Sequence, residues 1–186
     1  MRLFPSLGLN WLNGWIFFVF YLVIFGITLS ICSKDVRERL YDRSLWNKKT
    51  KIITALGKLF SLANIILILF ARLLIGSLEF YIGTILYLLG LSLLVISIIN
   101  YRDAPLDEPI TRGVYKYSRN PQIISIFIMF FGMCLVIGSW INLGLLLISI
   151  ICSHFSILGE ENSLTEQYGE SYVNYIQRVP RYFLFI

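Results

Sequence analysis

The sequence predicts an all-α, polytopic membrane protein with five transmembrane helices and an interfacial C-terminal helix. Three observations predict it. The 186-residue chain is 57% hydrophobic and only 15% charged, with a mean hydropathy of +0.74; a soluble domain carries about 25% charged residues. Its apolar residues gather into five stretches of spanning or near-spanning length. Its basic residues collect in alternate connecting segments.

The first stretch, Trp15 to Cys32, is preceded by only one basic residue, Arg2, and followed by Ser33-Lys34-Asp35-Val36-Arg37. That flank is no small-residue cleavage site, so the stretch reads as a retained helix and not a signal peptide. Residues 33–51 read as a basic loop. The second stretch lies within Ile52 to Ile75 and contains Lys58, Asn64 and Arg72. Lys58 and Arg72 bracket the apolar part and can snorkel. Asn64 either makes an interhelical hydrogen bond or lines a groove for a lipid substrate. The third stretch runs from Phe80 to Ile99, after the short link Gly76-Ser77-Leu78-Glu79. The fourth, Ile123 to Gly138, gains a first turn from Pro121, which suits the start of a helix. The fifth, Ile141 to Leu158, follows Ser139-Trp140. Links this short predict antiparallel hairpins.

With five spans, the segments 33–51, 100–122 and 159 onward share one side. They hold Lys34, Arg37, Arg39, Arg43, Lys48, Lys49, Lys51, Arg102, Arg112, Lys116, Arg119, Arg178 and Arg181, thirteen of the 16 Lys and Arg, against Arg2 opposite. The positive-inside rule then puts the N-terminus outside and the C-terminus in the cytoplasm. The net charge of +5 is thereby a topology signal; with no basic, aromatic-interleaved face, nucleic acid is not an expected partner. Cys32, Cys134 and Cys152 all fall in apolar stretches, so neither a disulfide framework nor a metal site is expected.

Two motifs sit at stretch ends. The first is Gly113-Val114-Tyr115-Lys116-Tyr117-Ser118-Arg119-Asn120-Pro121-Gln122. Gly113 permits close backbone approach, Tyr115 and Tyr117 offer aromatic faces to the interface, and Asn120-Pro121 is a turn that opens a helix whose amides favour an anion or a polar ring edge. As a plain junction it needs only Asn120 as N-cap. The second is Glu160-Glu161, followed by Leu164, Tyr168-Gly169, Tyr172, Tyr175 and Val179-Pro180-Arg181. Ser163-x-x-Glu166 reads as a capping box that starts a tail helix. Leu164, Tyr168, Tyr172, Tyr175 and Val179 share one face of that helix, as in an interfacial amphipathic segment.

Together these motifs, with a helical hairpin between them, resemble the signatures of membrane-embedded methyltransferases, the isoprenylcysteine carboxyl methyltransferases and phospholipid N-methyltransferases. The resemblance covers about residues 103–183, and residues 1–75 contribute topology alone. Many members read Gly-x-Tyr-x-x-x-Arg-His-Pro-x-Tyr; here Asn120 replaces the His and Ile123 the Tyr, a variant that looks like the phospholipid branch. The resemblance implies S-adenosyl-L-methionine as cofactor and a lipid or lipophilic acceptor (amine, thiol or carboxyl). The length of 186 residues fits a single membrane domain, 1–186, and the resemblance makes 101–183 its catalytic part. Glu160, then Glu161, is the expected partner of the cofactor's ammonium. Arg119 and the helix start after Pro121 are expected near its carboxylate, and Tyr115, Asn120 and Gln122 near its adenine, with Gly113 completing the turn. His154, the sole histidine, is either a satisfied polar contact or a residue that orients or deprotonates the acceptor, with Glu161 the other catalytic candidate. Isoprenylcysteine enzymes carry an arginine shortly before the Glu pair; none stands around Ser156, which argues against a carboxylate acceptor.

Two other readings compete. A steroid-reductase-like, NADPH-dependent membrane oxidoreductase would look more like Pro-Asn-Tyr-x-Gly-Glu after the turn, where this chain has Pro121-Gln122-Ile123-Ile124-Ser125. A non-catalytic small membrane protein would bind no cofactor. A transporter is disfavoured, since no inverted repeat and few intramembrane charges are present.

Overall fold

The computed structural model describes residues 1–105 and 107–183. The chain forms seven α-helices among these residues: α1 (Trp15–Ser30), α2 (Lys34–Tyr41), α3 (Lys48–Phe70), α4 (Leu78–Arg102), α5 (Pro121–Ile137), α6 (Trp140–Tyr168) and α7 (Glu170–Arg178). A single 3-10 turn, Gly113–Lys116, precedes α5.

Among the described residues only α3, α4 and α6 are long and apolar enough to cross a membrane, which corrects the expectation of five spans to three. The shortfall is one of length. α1 has 16 residues and α5 has 17, so at 1.5 Å per residue they reach about 24–26 Å, short of a hydrocarbon core of about 30 Å. Both are strongly apolar, and hydropathy alone reads them as spans. Two further expectations change. The segment 33–51 is not all loop, because Ser33 accepts from the Val36 amide and starts α2. The capping box at Ser163 does not form: α6 runs unbroken through it, and the Ser163 hydroxyl donates to the carbonyls of Gly159 and Leu45. The chain turns instead at Gly169, whose φ of +56° few other residues adopt.

α4 packs antiparallel on α5, and α3 antiparallel on α6, while α3 and α4, neighbours in sequence, are not each other's main partners. The α4–α5 contact brings backbones together. A Cβ on Gly132 would sit 2.5 Å from the Gly83 carbonyl, and one on Gly90 2.5 Å from the Met129 amide nitrogen. Small residues at such crossings let helices gain dispersion contact where lipid offers no hydrophobic drive. The α3–α6 contact is tied by polar groups. Asn64, 1% exposed, accepts at its side-chain oxygen from Asn142 at 2.6 Å, so Asn64 makes the interhelical bond and lies away from any groove. Thr54 donates to Ser156 nearer the other end. α1 runs alongside α4, with the Tyr87 hydroxyl donating to the Phe17 carbonyl and Tyr87 sealed among Ile68, Met129 and Met133.

The bundle therefore has two distinct ends. At one, residues 1–14 strap across the links: Arg2 N–H donates to Gly138, Gly8 to Phe70 and Gly14 to Ala71. At the other end lie α2, the start of α3, the end of α4, the 103–120 connection, the start of α5, the end of α6, and α7. The thirteen basic residues named above are on these segments, on the α2–α3 connection (Arg43) and on the chain just after α7 (Arg181).

Candidate active site

At that second end, side chains from five parts of the chain surround a cavity of about 210 Å3. The 3-10 turn supplies Tyr115, the start of α5 Asn120, Pro121 and Gln122, and the end of α6 Glu160 and Glu161. α7 supplies Tyr172 and Tyr175, and the α2–α3 connection Arg43 and Trp46. Residues as far apart in sequence as Arg43 and Tyr175 thus meet, and both motifs line the same cavity.

The walls are held by one buried ion cluster. Arg119, whose side chain is 6% exposed, places Nη2 2.9 Å and Nε 3.0 Å from Glu161 Oε1. Its Nη1 donates to the carbonyls of Ile176 and Val179. Arg181 reaches the same carboxylate from the tail, with Nη2 2.7 Å from Oε2. The guanidinium of Arg119, from the residue pair preceding α5, is thereby committed to the end of α6, to α7 and to the chain after it. Backbone contacts complete the clamp: Arg119 N–H donates to the Pro180 carbonyl, the Ser118 hydroxyl to Arg181, and the Tyr175 hydroxyl to Tyr115. Asn120 precedes α5 without capping it; its side-chain amide donates to the Arg181 carbonyl. The tail face anticipated from Leu164, Tyr168, Tyr172, Tyr175 and Val179 does cluster, with Tyr172 and Tyr175 buried against the cavity.

Tyr115 is buried, whereas Tyr117 is exposed. Gly113 explains the difference. Its φ is +56°, and a Cβ there would run into Asn100, whose oxygen accepts from the Val114 amide at 2.9 Å. That anchored turn swings Tyr115 inward, where its hydroxyl accepts from Gln122 at 2.8 Å. Burial pushes the phenols of Tyr115, Tyr172 and Tyr175 well above their ordinary range, so all three are neutral hydroxyls.

Three carboxylates line the cavity, and two are engaged. Glu161 is clamped, and Asp42 accepts from the Ser44 amide at 2.8 Å. Glu160 alone has no hydrogen-bonding or ionic partner among the described residues. The side-chain oxygens of Asn120 and Gln122 are likewise without a donor there.

Of the residues singled out from sequence, Tyr115, Arg119, Asn120, Pro121, Gln122, Glu160 and Glu161 line this one cavity. Gly113 stands behind it as backbone support. His154 is not part of the lining; its Nδ1 is 3.0 Å from the Tyr182 hydroxyl. Sequence reasoning missed Arg39, Arg43 and Trp46. Arg39 donates to the carbonyls of Pro105 and Glu108, 2.6 Å each, and lies over the Tyr101 ring. Arg43 lies 4.4 Å over Trp46. The available signal was only a basic segment with one tryptophan, which reads equally as a topology flank.

Residues 71–171 match a family model described as phospholipid methyltransferase. A search of curated proteins gives no match.

Proposed function

The chain belongs to the phospholipid methyltransferase family, and from that premise we propose that the cavity holds the methyl donor, with Glu160 receiving its ammonium group and the acceptor entering from the membrane. The protein is an S-adenosylmethionine-dependent methyltransferase with a lipid-associated substrate, in a multi-pass membrane setting. When bound, the cofactor supplies an electrophilic methyl group on a sulfonium centre. No metal or covalent enzyme intermediate is required of the residues present; alignment and exclusion of water are what they supply.

What carries the reading is Glu160, which has no partner among the described residues. A carboxylate set in a cavity wall beside buried tyrosines is costly unless a cation completes it. An ammonium does so through charge-assisted hydrogen bonds. The free oxygens of Asn120 and Gln122 suit the amino edge of an adenine, and the Tyr115 ring offers a face. Glu161 acts as a positioning residue through its two arginines: it fixes the α6 turn that aims Glu160. The catalytic part proposed is 101–183.

For the acceptor we favour a phospholipid amine. No arginine stands in the α6 stretch before Glu160 to receive a carboxylate, and Ile123, Ile157 and Leu164 give the cavity an apolar wall. The end of the bundle that bears the site carries thirteen of 16 basic residues, which supports a cytoplasmic site, a cytoplasmic C-terminus and an N-terminus outside.

The test is methyl transfer from labelled S-adenosylmethionine into vesicles containing an aminophospholipid, using the full chain reconstituted in lipid. Transfer that requires the amine headgroup and vanishes in Glu160→Gln is expected. Transfer to a prenylated thiol or carboxylate alone would overturn the acceptor, and NADPH binding in place of the methyl donor would overturn the class.

A further inference from the structure

The methyl donor ends in an α-amino acid, so its site needs a cation beside the carboxylate that takes the ammonium. Three arginines line the cavity: Arg39, Arg43 and Arg119. Arg119 is buried and committed to Glu161 and two carbonyls. Arg39 is stretched between the carbonyls of Pro105 and Glu108 and sits over the rings of Tyr101 and Tyr168. Arg43 differs. Its Nη1 donates to the carbonyls of Leu40 and Asp42, while Nε and Nη2 have no partner among the described residues and no carboxylate there lies within ion-pair distance.

Resting on the assignment of Glu160 above, we propose that Arg43 receives the α-carboxylate of the methyl donor, so that the α2–α3 connection, outside the family-matched residues 71–171, completes the cofactor site. The connection is built to hold that side chain. The guanidinium carbon lies 4.4 Å from the centre of the Trp46 ring, which is itself buried. Asp42 accepts from the Ser44 amide, and Asn47 accepts from Thr50 to cap α3. The Leu45 carbonyl accepts from Ser163 at 3.1 Å, which fixes the connection one turn of α6 beyond Glu160. Arg43 and Glu160 line the same cavity, yet the two do not pair directly. A cation and a carboxyl group lining one cavity, each without an ion-pair partner among the described residues, match a zwitterionic α-amino acid.

The test compares two ligands on the full chain in lipid nanodiscs. S-adenosylhomocysteine carries the α-amino acid end; 5′-methylthioadenosine has the same adenosyl thioether without it. Arg43→Gln is expected to weaken S-adenosylhomocysteine by about tenfold or more, the scale of one charge-assisted contact, while leaving methylthioadenosine unchanged. Arg43→Lys recovers part of the loss. Equal weakening of both ligands, or none, overturns the proposal. Unchanged S-adenosylhomocysteine affinity with a raised KM for the acceptor lipid also overturns it and assigns Arg43 to the lipid phosphate. Failure of the underlying reading has a separate signature: Glu160→Gln would then bind both ligands as the wild type does, whatever Arg43 does.

Discussion

Replacing Glu161 with alanine removes the anion from a cluster that holds two arginines. Arg119 then loses its Nε and Nη2 partners while its side chain stays 6% exposed. Removing one member of a buried ion pair costs about 3–5 kcal/mol, because the survivor is left uncompensated. Two features place this case at the lower end. Arg119 keeps the carbonyls of Ile176 and Val179, and the Arg181 side chain, 27% exposed, can be partly rehydrated. The expected cost is about 3 kcal/mol, which multiplies the opening equilibrium by about two orders of magnitude. The opening is local, because the cluster ties the tail to α5 and α6, whereas the α3–α6 and α4–α5 crossings are held by contacts of their own, such as Asn64 with Asn142 and Gly83 with Gly132. Hydrogen exchange on the full chain in nanodiscs should therefore show amides in α7 and at Val179 exchanging about a hundredfold faster, with the spans unaffected. An apolar triple replacement, Arg119→Met with Glu161→Leu and Arg181→Met, should restore much of the protection. Unchanged α7 exchange in Glu161→Ala would refute the clamp.

Two further outcomes follow from the packing and the site. Gly132→Ala sets a Cβ 2.5 Å from the Gly83 carbonyl and 2.6 Å from the Tyr87 amide nitrogen, both backbone atoms that cannot swing aside. It should cost about 1–3 kcal/mol, seen as a lower thermal midpoint in detergent; an unchanged midpoint would contradict the close crossing. His154→Gln removes a ring bonded to Tyr182 outside the cavity lining, so affinity for the methyl donor should stay within about twofold, a difference well under 1.4 kcal/mol. A tenfold loss by calorimetry would bring His154 into the site.

Much of this architecture was legible in the chain because lipid forces apolar residues into helices whose ends are marked by polarity. Helix starts at Trp15, Pro121 and Trp140 lie within two residues of those expected. Span number was not legible in the same way: α1 and α5 are as apolar as the long helices, and their shortness is set by where residues 31–33 turn and where Gly138 ends α5. α2 was hidden because its exposed, charged residues carry no apolar period, only the Ser33 cap. At the site, the paired motifs pointed to residues that do line one cavity. Their division of labour was not readable. Glu160 and Glu161 are adjacent and identical in sequence, yet one faces the cavity without a partner among the described residues and the other meets two arginines, a difference fixed by the register of α6 against α5 and the tail. Arg43 was out of reach for a different reason. Nothing local distinguishes it from the twelve other basic residues at that end, and only the packing of α3 on α6 brings its loop beside Glu160.

The central claim is that Glu160 supplies the counter-charge for the methyl donor, and a binding isotherm of S-adenosylmethionine to wild type and Glu160→Gln tests it most directly. Gln keeps the shape and removes the charge, and Glu160 has no protein partner among the described residues, so folding should be unchanged to within about 0.5 kcal/mol. Affinity should fall by at least about tenfold at an unchanged thermal midpoint of the ligand-free protein. Wild-type affinity in an intact Glu160→Gln protein would contradict that claim.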